Sequence, residues 1–269
     1  MCVLAIPAHT AQPAAQRLVS LAPSLTELAF TAGAGDRLVG TVEFSDHPAA
    51  AKLIPRIGDA FRVDFERVLA LHPDLVLAWQ GGTPERVIAR LRELGLEVAV
   101  IETYRLADIP AAVRSIGMLT GLEATARSMA ERFERDIQAL RREYAGRTRL
   151  SVFLQVNSAP LYTVNGRQIM SEVLEVCGGR NVFAGLNQLA PEIGIEAVLA
   201  ANPEVIIAVE THADAAATWG RWQQVTAVRN GNLYTLPPDD LARPTTRLLS
   251  GAQQLCRTLQ RARERSAAR

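Results

Sequence analysis

The clearest pattern of apolar and polar positions lies in the middle of the chain, between Leu122 and Ala145. Apolar side chains recur there every three or four residues with charged side chains between them, which predicts an amphipathic helix. At 1.5 Å per residue this helix would be roughly 36 Å long, enough to span a domain. Gly121 and Gly146 mark its ends. Its apolar positions are Ala126, Met129, Phe133, Ile137 and Leu140.

A repeated segment flanks this helix. Phe65–Trp79 (FERVLALHPDLVLAW) and Ile195–Val209 (IEAVLAANPEVIIAV) align without gaps and share six of fifteen residues, where composition alone would give roughly one. Each copy predicts a short helix, a turn with a proline, and an apolar strand buried on both faces. A surface helix inside one domain would match the central pattern equally well, but the repeat favours a helix that links two similar lobes.

The predicted fold class is therefore α/β, with two Rossmann-like lobes joined by a single long α-helix. We expect a leader over residues 1–16, an N-terminal lobe over 17–120, a linker helix over 121–146 and a C-terminal lobe over 147–269.

Shorter patterns predict the remaining elements. Ser24 and Glu27 have the spacing of a capping box, which predicts a helix beginning there. Further strands are predicted at 17–21, 38–41, 98–102, 150–156 and 232–236, and further helices at 86–94, 108–121, 171–177 and 246–262.

Charge and hydropathy exclude two classes of function. The chain has 29 basic and 28 acidic residues, which are interspersed, and no basic run of the kind that binds nucleic acid. No apolar stretch reaches the eighteen or so residues that a membrane-spanning helix needs. The hydrophobic content of 48% can fill two cores.

Two features bear on the compartment. Residues 1–15 (MCVLAIPAHTAQPAA) are small and apolar, like the end of a secretory signal without its basic region, which indicates export. Cys177 and Cys256 fall in the same lobe, and they form either a disulfide, as in an oxidising compartment, or two buried free thiols.

The sequence shows binding groups but no catalytic or metal-binding motif. The four histidines are not paired at the spacing of metal ligands, and no nucleotide-loop, zinc-protease or serine-hydrolase motif occurs. Instead, aromatic or polar residues follow predicted strands in both lobes, and together they would line a cleft for a large, mostly flat ligand. These residues are Phe44, Phe61, Trp79, Tyr162, Asp239 and Arg243.

Several stretches resemble the periplasmic cobalamin-binding proteins of vitamin B12 ABC importers, which belong to the helical-backbone group of substrate-binding proteins. The most specific are AWQGG at 78–82 and LEVCGG at 174–179. The others are SLTELAF at 24–30, FSDHP at 44–48, VFLQ at 152–155 and QQLC at 253–256. The resemblance covers most of residues 17–260 and implies a periplasmic, monomeric receptor with no reaction of its own.

The resemblance also implies roles for particular residues. Phe44, Trp79 and Tyr162 match aromatic positions of the cleft, and Asp239 and Arg243 match its ligand-contacting loop. The cysteines at 177 and 256 match a disulfide. Residues 66 and 196 match two surface glutamates, one per lobe, that dock on arginines of the membrane permease. Glu66 and Glu196 also lie at equivalent places in the repeat, where a helix dipole alone would favour a carboxylate.

Some residues depart from the family pattern. Ala60 and Ala190 stand where the family has tryptophan, and His47 replaces a tyrosine near the cleft. We interpret His47 as an exposed loop residue, with an approach to cobalt as the alternative. Trp219 and Trp222 are expected to pack the outer helix of the second lobe, with aromatic faces of the cleft as the alternative. The ligand is then cobalamin, a precursor such as cobinamide, or another tetrapyrrole.

Two other functions compete with a corrinoid receptor. A haem or ferric-siderophore receptor would use Arg62, Arg243 and Arg247 for an anionic ligand. An enzyme such as a metal chelatase or a hydrolase would need convergent acid, base or metal groups, for which only Asp46, His47 and Asp239 are candidates.

Overall fold

The computed structural model describes residues 14–59, 61–211 and 214–267.

The first lobe is a parallel α/β unit. Strands β1 (Leu18–Ser20), β2 (Leu38–Thr41), β3 (Leu75–Trp79) and β4 (Val98–Ile101) form a parallel sheet in the order β2-β1-β3-β4. The helices are α1 (Pro23–Thr31), α2 (Phe65–Ala70), α3 (Glu85–Glu93) and α4 (Asp108–Thr120), with 3-10 turns at Gly35–Arg37 and Ala49–Leu53.

The second lobe repeats this plan. Its strands are β5 (Leu150–Ser158), β6 (Leu161–Thr163), β7 (Gly179–Asn181), β8 (Val205–Val209) and β9 (Leu233–Leu236). Strand β5 pairs in parallel with β7 and β8, and β9 pairs in parallel with β8. Strand β6 pairs antiparallel with β5. The helices are α6 (Ile169–Val176), α7 (Ile195–Ala201), α8 (Ala215–Trp219), α9 (Thr226–Arg229), α10 (Pro238–Leu241) and α11 (Leu248–Ala267).

The long helix α5 (Glu123–Tyr144) connects the lobes, as the central pattern predicts. Its buried residues follow steps of three and four, and they are Ala126, Ala130, Phe133, Ile137, Leu140 and Tyr144. Helix α4 packs closely against its start, because a Cβ on Gly117 would lie 2.2 Å from the Cβ of Ala126. Arg114 and Glu134 add a bidentate ion pair with two 2.7 Å hydrogen bonds.

One apolar cluster runs through both lobes. It includes Leu25 and Leu77 of the first lobe, Phe133 of α5, and Leu154 and Leu174 of the second. A smaller cluster fills the outer face of the sheet in each lobe. Because buried apolar contact is the main favourable term in folding, this shared cluster packs the two lobes and α5 together as one body.

The repeat predicted from sequence is confirmed in structure. The first copy forms α2 and β3 and the second forms α7 and β8, and each of these strands lies beside the first strand of its lobe. Val68 and Val198 are the fully buried residues of the two short helices. Glu66 and Glu196 are exposed in the first turns of α2 and α7.

Three details differ from the sequence-based expectations. Helix α1 begins at Pro23 without a side-chain cap, so the predicted capping box of Ser24 and Glu27 is wrong; proline at the first helical position starts the helix instead. Helix α11 runs on to Ala267. The predicted leader lies mostly outside the described residues, but residue 15 is already buried and its backbone N–H donates to the carbonyl of Leu119.

Candidate ligand-binding cleft

The strand-exit loops of the two lobes meet across a cleft. The loop after β9 contacts the loop after β2, since a guanidinium nitrogen of Arg243 lies 3.0 Å from Oδ1 of Asp46. The loop after β4 contacts α6, since the backbone N–H of Leu106 donates to Glu172 at 2.9 Å. Strands β2 and β4 are the two edges of the first sheet, so these contacts lie at opposite ends of the cleft.

We call each of these two interlobe contacts a crossing. The crossing at the β2 end is the first, and it is centred on Glu27, whose side chain is only 4% exposed. It points from α1 into the second lobe, where Thr245 donates to it at 2.9 Å and Arg243 at 3.3 Å. Arg247 lies 3.7 Å away. A buried carboxylate is retained only when it is paired and hydrogen-bonded, and these three partners all come from the opposite lobe.

The second crossing is centred on Glu172 at the start of α6. One oxygen accepts from the backbone N–H of Leu106, and the other lies 3.8 Å from the guanidinium of Arg105. Glu172 therefore holds the β4 exit loop of the first lobe much as Glu27 holds the β9 exit loop of the second.

The two crossings are equivalent under the internal repeat. Helices α1 and α6 occupy matching places in their lobes, and the segments LTEL at 25–28 and MSEV at 170–173 align at the glutamate. The preceding hydroxyls have matching roles as well: Thr26 lies 2.6 Å from Thr41 at the end of β2, and Ser171 accepts from Asn181 at the end of β7. Each lobe therefore contacts the other through a glutamate at the same position of the equivalent helix.

Charge pairing fixes the Arg243 side chain at the edge of the cleft. It contacts Glu27, Asp46 and Asp239, the last at 3.2 Å. Partial burial opposes ionisation of Asp46, but the hydrogen bond and charge of Arg243 outweigh it and hold the pKa of Asp46 below its ordinary value of 3.8. Likewise, burial would lower the pKa of Arg243, but its carboxylate partners raise that pKa.

Phe44 is the most exposed of the predicted aromatic residues, at 76%. Its backbone has a φ of 64°, which is rare for a bulky residue. Hydrogen bonds on both sides maintain this conformation, from Glu43 to the carbonyl of Gly58 and from Ser45 to that of Val42. Backbone strain of this kind concentrates at functional sites, which supports Phe44 as a cleft residue.

Trp79 ends β3 and packs on the turn that follows it. A Cβ on Gly82 would lie 1.9 Å from the indole ring, so only glycine leaves room for that ring. A Cβ on Gly81 would lie 2.1 Å from the hydroxyl of Tyr104. The two glycines of the AWQGG motif thus allow Trp79 and Tyr104 to lie close to the same turn.

Phe61 and Tyr162 lie outside these contacts. Phe61 is 66% exposed on the loop after Gly58, where the Asp59 carboxylate accepts hydrogen bonds from the backbone N–H groups of Phe61 and Arg62. Those two bonds lower the pKa of Asp59. Ala60 lies outside the described residues. Tyr162 is half-buried on β6, paired with Asn157.

Two cavities lie at the ends of the cleft. A cavity of about 330 Å³ adjoins the first crossing and is lined by Glu27, Phe30, Thr31, His47, Pro48, Thr246 and Arg247. Another, of about 410 Å³, adjoins the second and is lined by Tyr104, Arg105, Gly166, Arg167, Glu172 and Leu189. His47 is exposed, as expected.

The comparisons with known proteins agree with this architecture. Residues 18–240 match the model of the periplasmic binding protein family. The chain belongs to the periplasmic binding protein family. The vitamin B12-binding protein of Vibrio cholerae serotype O1 is 35% identical over 243 residues, 90% of this chain and 88% of that protein. The vitamin B12-binding protein of Yersinia pestis is 34% identical over 257 residues, 96% of this chain and 89% of that protein.

Solved structures show the same fold. The periplasmic vitamin B12 binding protein BtuF of Vibrio cholerae matches with a TM-score of 0.85 and 34% identity, covering 93% of this chain and 98% of that one. The periplasmic heme-binding protein BhuT, in complex with two hemes, matches with a TM-score of 0.81 and 25% identity, covering 93% of this chain and 99% of that one. The predicted two-lobe fold is confirmed, and the relatives are binding proteins rather than enzymes.

Several smaller expectations can also be compared with the structure. Cys177 and Cys256 form a disulfide. Trp219 is buried, and its indole N–H donates to Gln155 at 2.7 Å, so it packs the second lobe as predicted. Trp222 packs against the same outer cluster. Among the described residues, none of the helices is long and apolar enough to cross a bilayer, and no group of three or more acidic, histidine or cysteine side chains is placed to hold a metal ion.

Sequence reasoning missed Glu172, Tyr104, Arg105 and Arg167, and it gave Glu27 the wrong role. The signal for the glutamates is present in the chain, because LTEL and MSEV place an acid among residues that helix periodicity assigns to the core. The other three residues lie on exposed loops with no local pattern, and only the meeting of the two lobes brings them together.

Proposed function

We propose that this protein captures cobalamin or a related corrinoid in the cleft between its lobes and delivers it to an ABC importer. The observation that supports this proposal is the similarity to vitamin B12-binding proteins, together with two lobes whose strand-exit loops meet. Trp79 ends strand β3, and the exposed Phe44 follows strand β2. Aromatic faces suit a macrocycle with large apolar surfaces, and polar groups at the rim fix its orientation.

The proposed ligand contacts are those expected from the sequence. Phe44, Trp79 and Tyr162 supply ring faces, and Phe61 supplies another from its exposed loop. Asp239 and Arg243 supply polar contacts at the β2 end of the cleft. The Arg243 side chain is already positioned by carboxylates from both lobes, so little of its conformational freedom remains to be lost when a ligand binds.

Docking on the permease would use Glu66 and Glu196. Both are exposed in the first turn of equivalent helices, one in each lobe. Two equivalent carboxylates suit a partner built from two related subunits with arginines at matching places. We infer a periplasmic receptor that is a monomer when free. Reversal of both charges should abolish corrinoid uptake in cells while leaving corrinoid binding by the purified protein unchanged.

Calorimetric titration with cyanocobalamin tests the binding function. We expect saturable one-to-one binding, and a Trp79→Ala variant that folds normally should bind more weakly because it loses a ring face. Haem is the comparison ligand, since the same fold occurs in a heme-binding protein. Saturable haem binding with no response to cyanocobalamin or dicyanocobinamide would refute the proposal.

A further inference from the structure

The cleft has a second polar pocket at the end opposite Asp239 and Arg243. This is the cavity of about 410 Å³ beside the Glu172 crossing, and both lobes line it. The first lobe contributes Tyr104 and Arg105 from the β4 exit loop, and the second contributes Arg167 from the loop before α6. None of these residues is among the ligand contacts proposed above.

The pocket adjoins the face on which a flat ligand would rest. Tyr104 lies against the turn after Trp79, since its hydroxyl would be 2.1 Å from a Cβ placed on Gly81. Tyr104 is 36% exposed, so part of its ring faces solvent. A macrocycle stacked on Trp79 would therefore bring one of its edges to this pocket.

The pocket lining carries more positive than negative charge. It has two guanidinium groups, on Arg105 and Arg167, and one carboxylate, on Glu172. Asp108 is close in sequence, but its carboxylate caps the β4 exit loop by accepting from the backbone N–H groups of Tyr104 and Arg105. The Arg105 side chain is 73% exposed and lies 3.8 Å from Glu172, so most of its donors are open.

Both loops are held in place by hydrogen bonds. Arg167 donates from its backbone N–H to the side chain of Asn165 and from its guanidinium to the carbonyl of Asn187. The backbone N–H of Leu106 donates to Glu172. The two arginines therefore extend from fixed positions on opposite sides of the pocket.

The internal symmetry gives an independent argument. Glu27 of α1 holds Arg243 on the last strand-exit loop of the second lobe, and Glu172 of α6 lies beside Arg105 on the last strand-exit loop of the first. Arg105 is thus the topological counterpart of Arg243, at the opposite end of the cleft.

We propose that Arg105, Arg167 and Tyr104 form an anion subsite that receives the phosphodiester of a nucleotide-bearing corrinoid. The proposal rests on the corrinoid-binding function and specifies the substrate class, because cobinamide lacks that group. Guanidinium groups bind phosphate oxygens through paired, charge-assisted hydrogen bonds, and the Tyr104 hydroxyl adds a neutral donor. A haem propionate is also an anionic oxygen group, so the test must separate the two.

The test compares three ligands on three proteins. The parent, the variant Arg105→Gln/Arg167→Gln, and the control Arg90→Gln/Arg132→Gln are titrated calorimetrically with cyanocobalamin, dicyanocobinamide and haem. The control removes two exposed helix arginines that form surface ion pairs. We expect the subsite variant to lose about tenfold or more in cobalamin affinity with its cobinamide affinity unchanged, and we expect the control to bind like the parent. Loss of the Arg167–Asn187 hydrogen bond should lower the unfolding temperature only slightly, because the backbone hydrogen bonds of both loops remain. Added salt should weaken cobalamin binding to the parent more than to the subsite variant.

Other outcomes would overturn the assignment in distinguishable ways. Equal losses for both corrinoids, or no loss for either, would show that the arginines do not contact the phosphodiester, while the corrinoid function would stand. Binding of neither corrinoid to the parent would remove the function itself. Saturable haem binding that the subsite variant loses, without cobalamin binding to the parent, would assign the pocket to a propionate.

Discussion

The disulfide between Cys177 and Cys256 offers a stability prediction of defined size. It joins the end of α6 to α11 across a sequence separation of 79 residues, and both cysteines are fully buried. In the chain-entropy account, a cross-link closing a loop of this length stabilises the folded state by about 4.5 kcal/mol at 25 °C, because it restricts the unfolded chain.

The same bond bears on the cleft. Helix α6 begins near Glu172, and α11 follows the loop that carries Arg243. The disulfide therefore fixes the two helices next to both interlobe crossings. We expect its loss to lower the free energy of unfolding first, and to weaken ligand binding only where the crossings loosen.

Urea unfolding of matched proteins measures the effect. The variant Cys177→Ala/Cys256→Ala is compared with its parent, both carrying Cys2→Ala so that no third thiol can exchange. We expect the free energy of unfolding to fall by about 2–5 kcal/mol. The parent unfolded with excess dithiothreitol is the control, because it loses the bond but keeps both sulfur atoms. A fall below about 1 kcal/mol in both comparisons would refute the reasoning.

Three further predictions concern the cleft. Gly82→Ala should weaken corrinoid binding in calorimetry, because its Cβ would lie 1.9 Å from the Trp79 ring, whereas Gly185→Ala, whose Cβ meets nothing within 4 Å, should bind normally. Glu27→Gln should lower the free energy of unfolding by about 1.5–3 kcal/mol in urea, since it removes a charged acceptor across the cleft; an unchanged midpoint would contradict the crossing. Because the folded pKa of Asp46 lies below 3.8, its stabilisation should be complete above pH 3.8 and be lost as the pH falls through the folded pKa. Urea titrations at a series of pH values measure the free energy of unfolding. Its decrease with falling pH should be smaller in Asp46→Asn than in the parent.

Local sequence patterns were sufficient to predict most elements of the fold. The three- and four-residue steps that end with Leu140 identify the linker helix because burial of one helix face imposes that period. The two copies at 65–79 and 195–209 identify paired lobes because the same helix, turn and strand bury the same positions in each. Predicted strand ends placed Phe44 in the loop after β2 and Trp79 at the end of β3, next to loops where binding groups collect.

The same local reasoning misread Glu27. At sequence level, an acid three residues after a serine looks like a cap. In the structure, Pro23 starts the helix and the acid points into the second lobe, where Thr245 and Arg243 meet it. Its partners lie more than two hundred residues away, so no window along the chain contains the information that gives it this role.

By itself, the sequence determined the two lobes, their order, the helix between them and the aromatic residues at strand ends, because each depends on periodicities within about twenty residues. Only the tertiary structure decided how the lobes face one another, which glutamates cross between them, and that Arg105 and Arg167 share a pocket. Those contacts depend on loops whose positions are set by packing of distant helices and sheets, and a one-dimensional pattern does not record that packing.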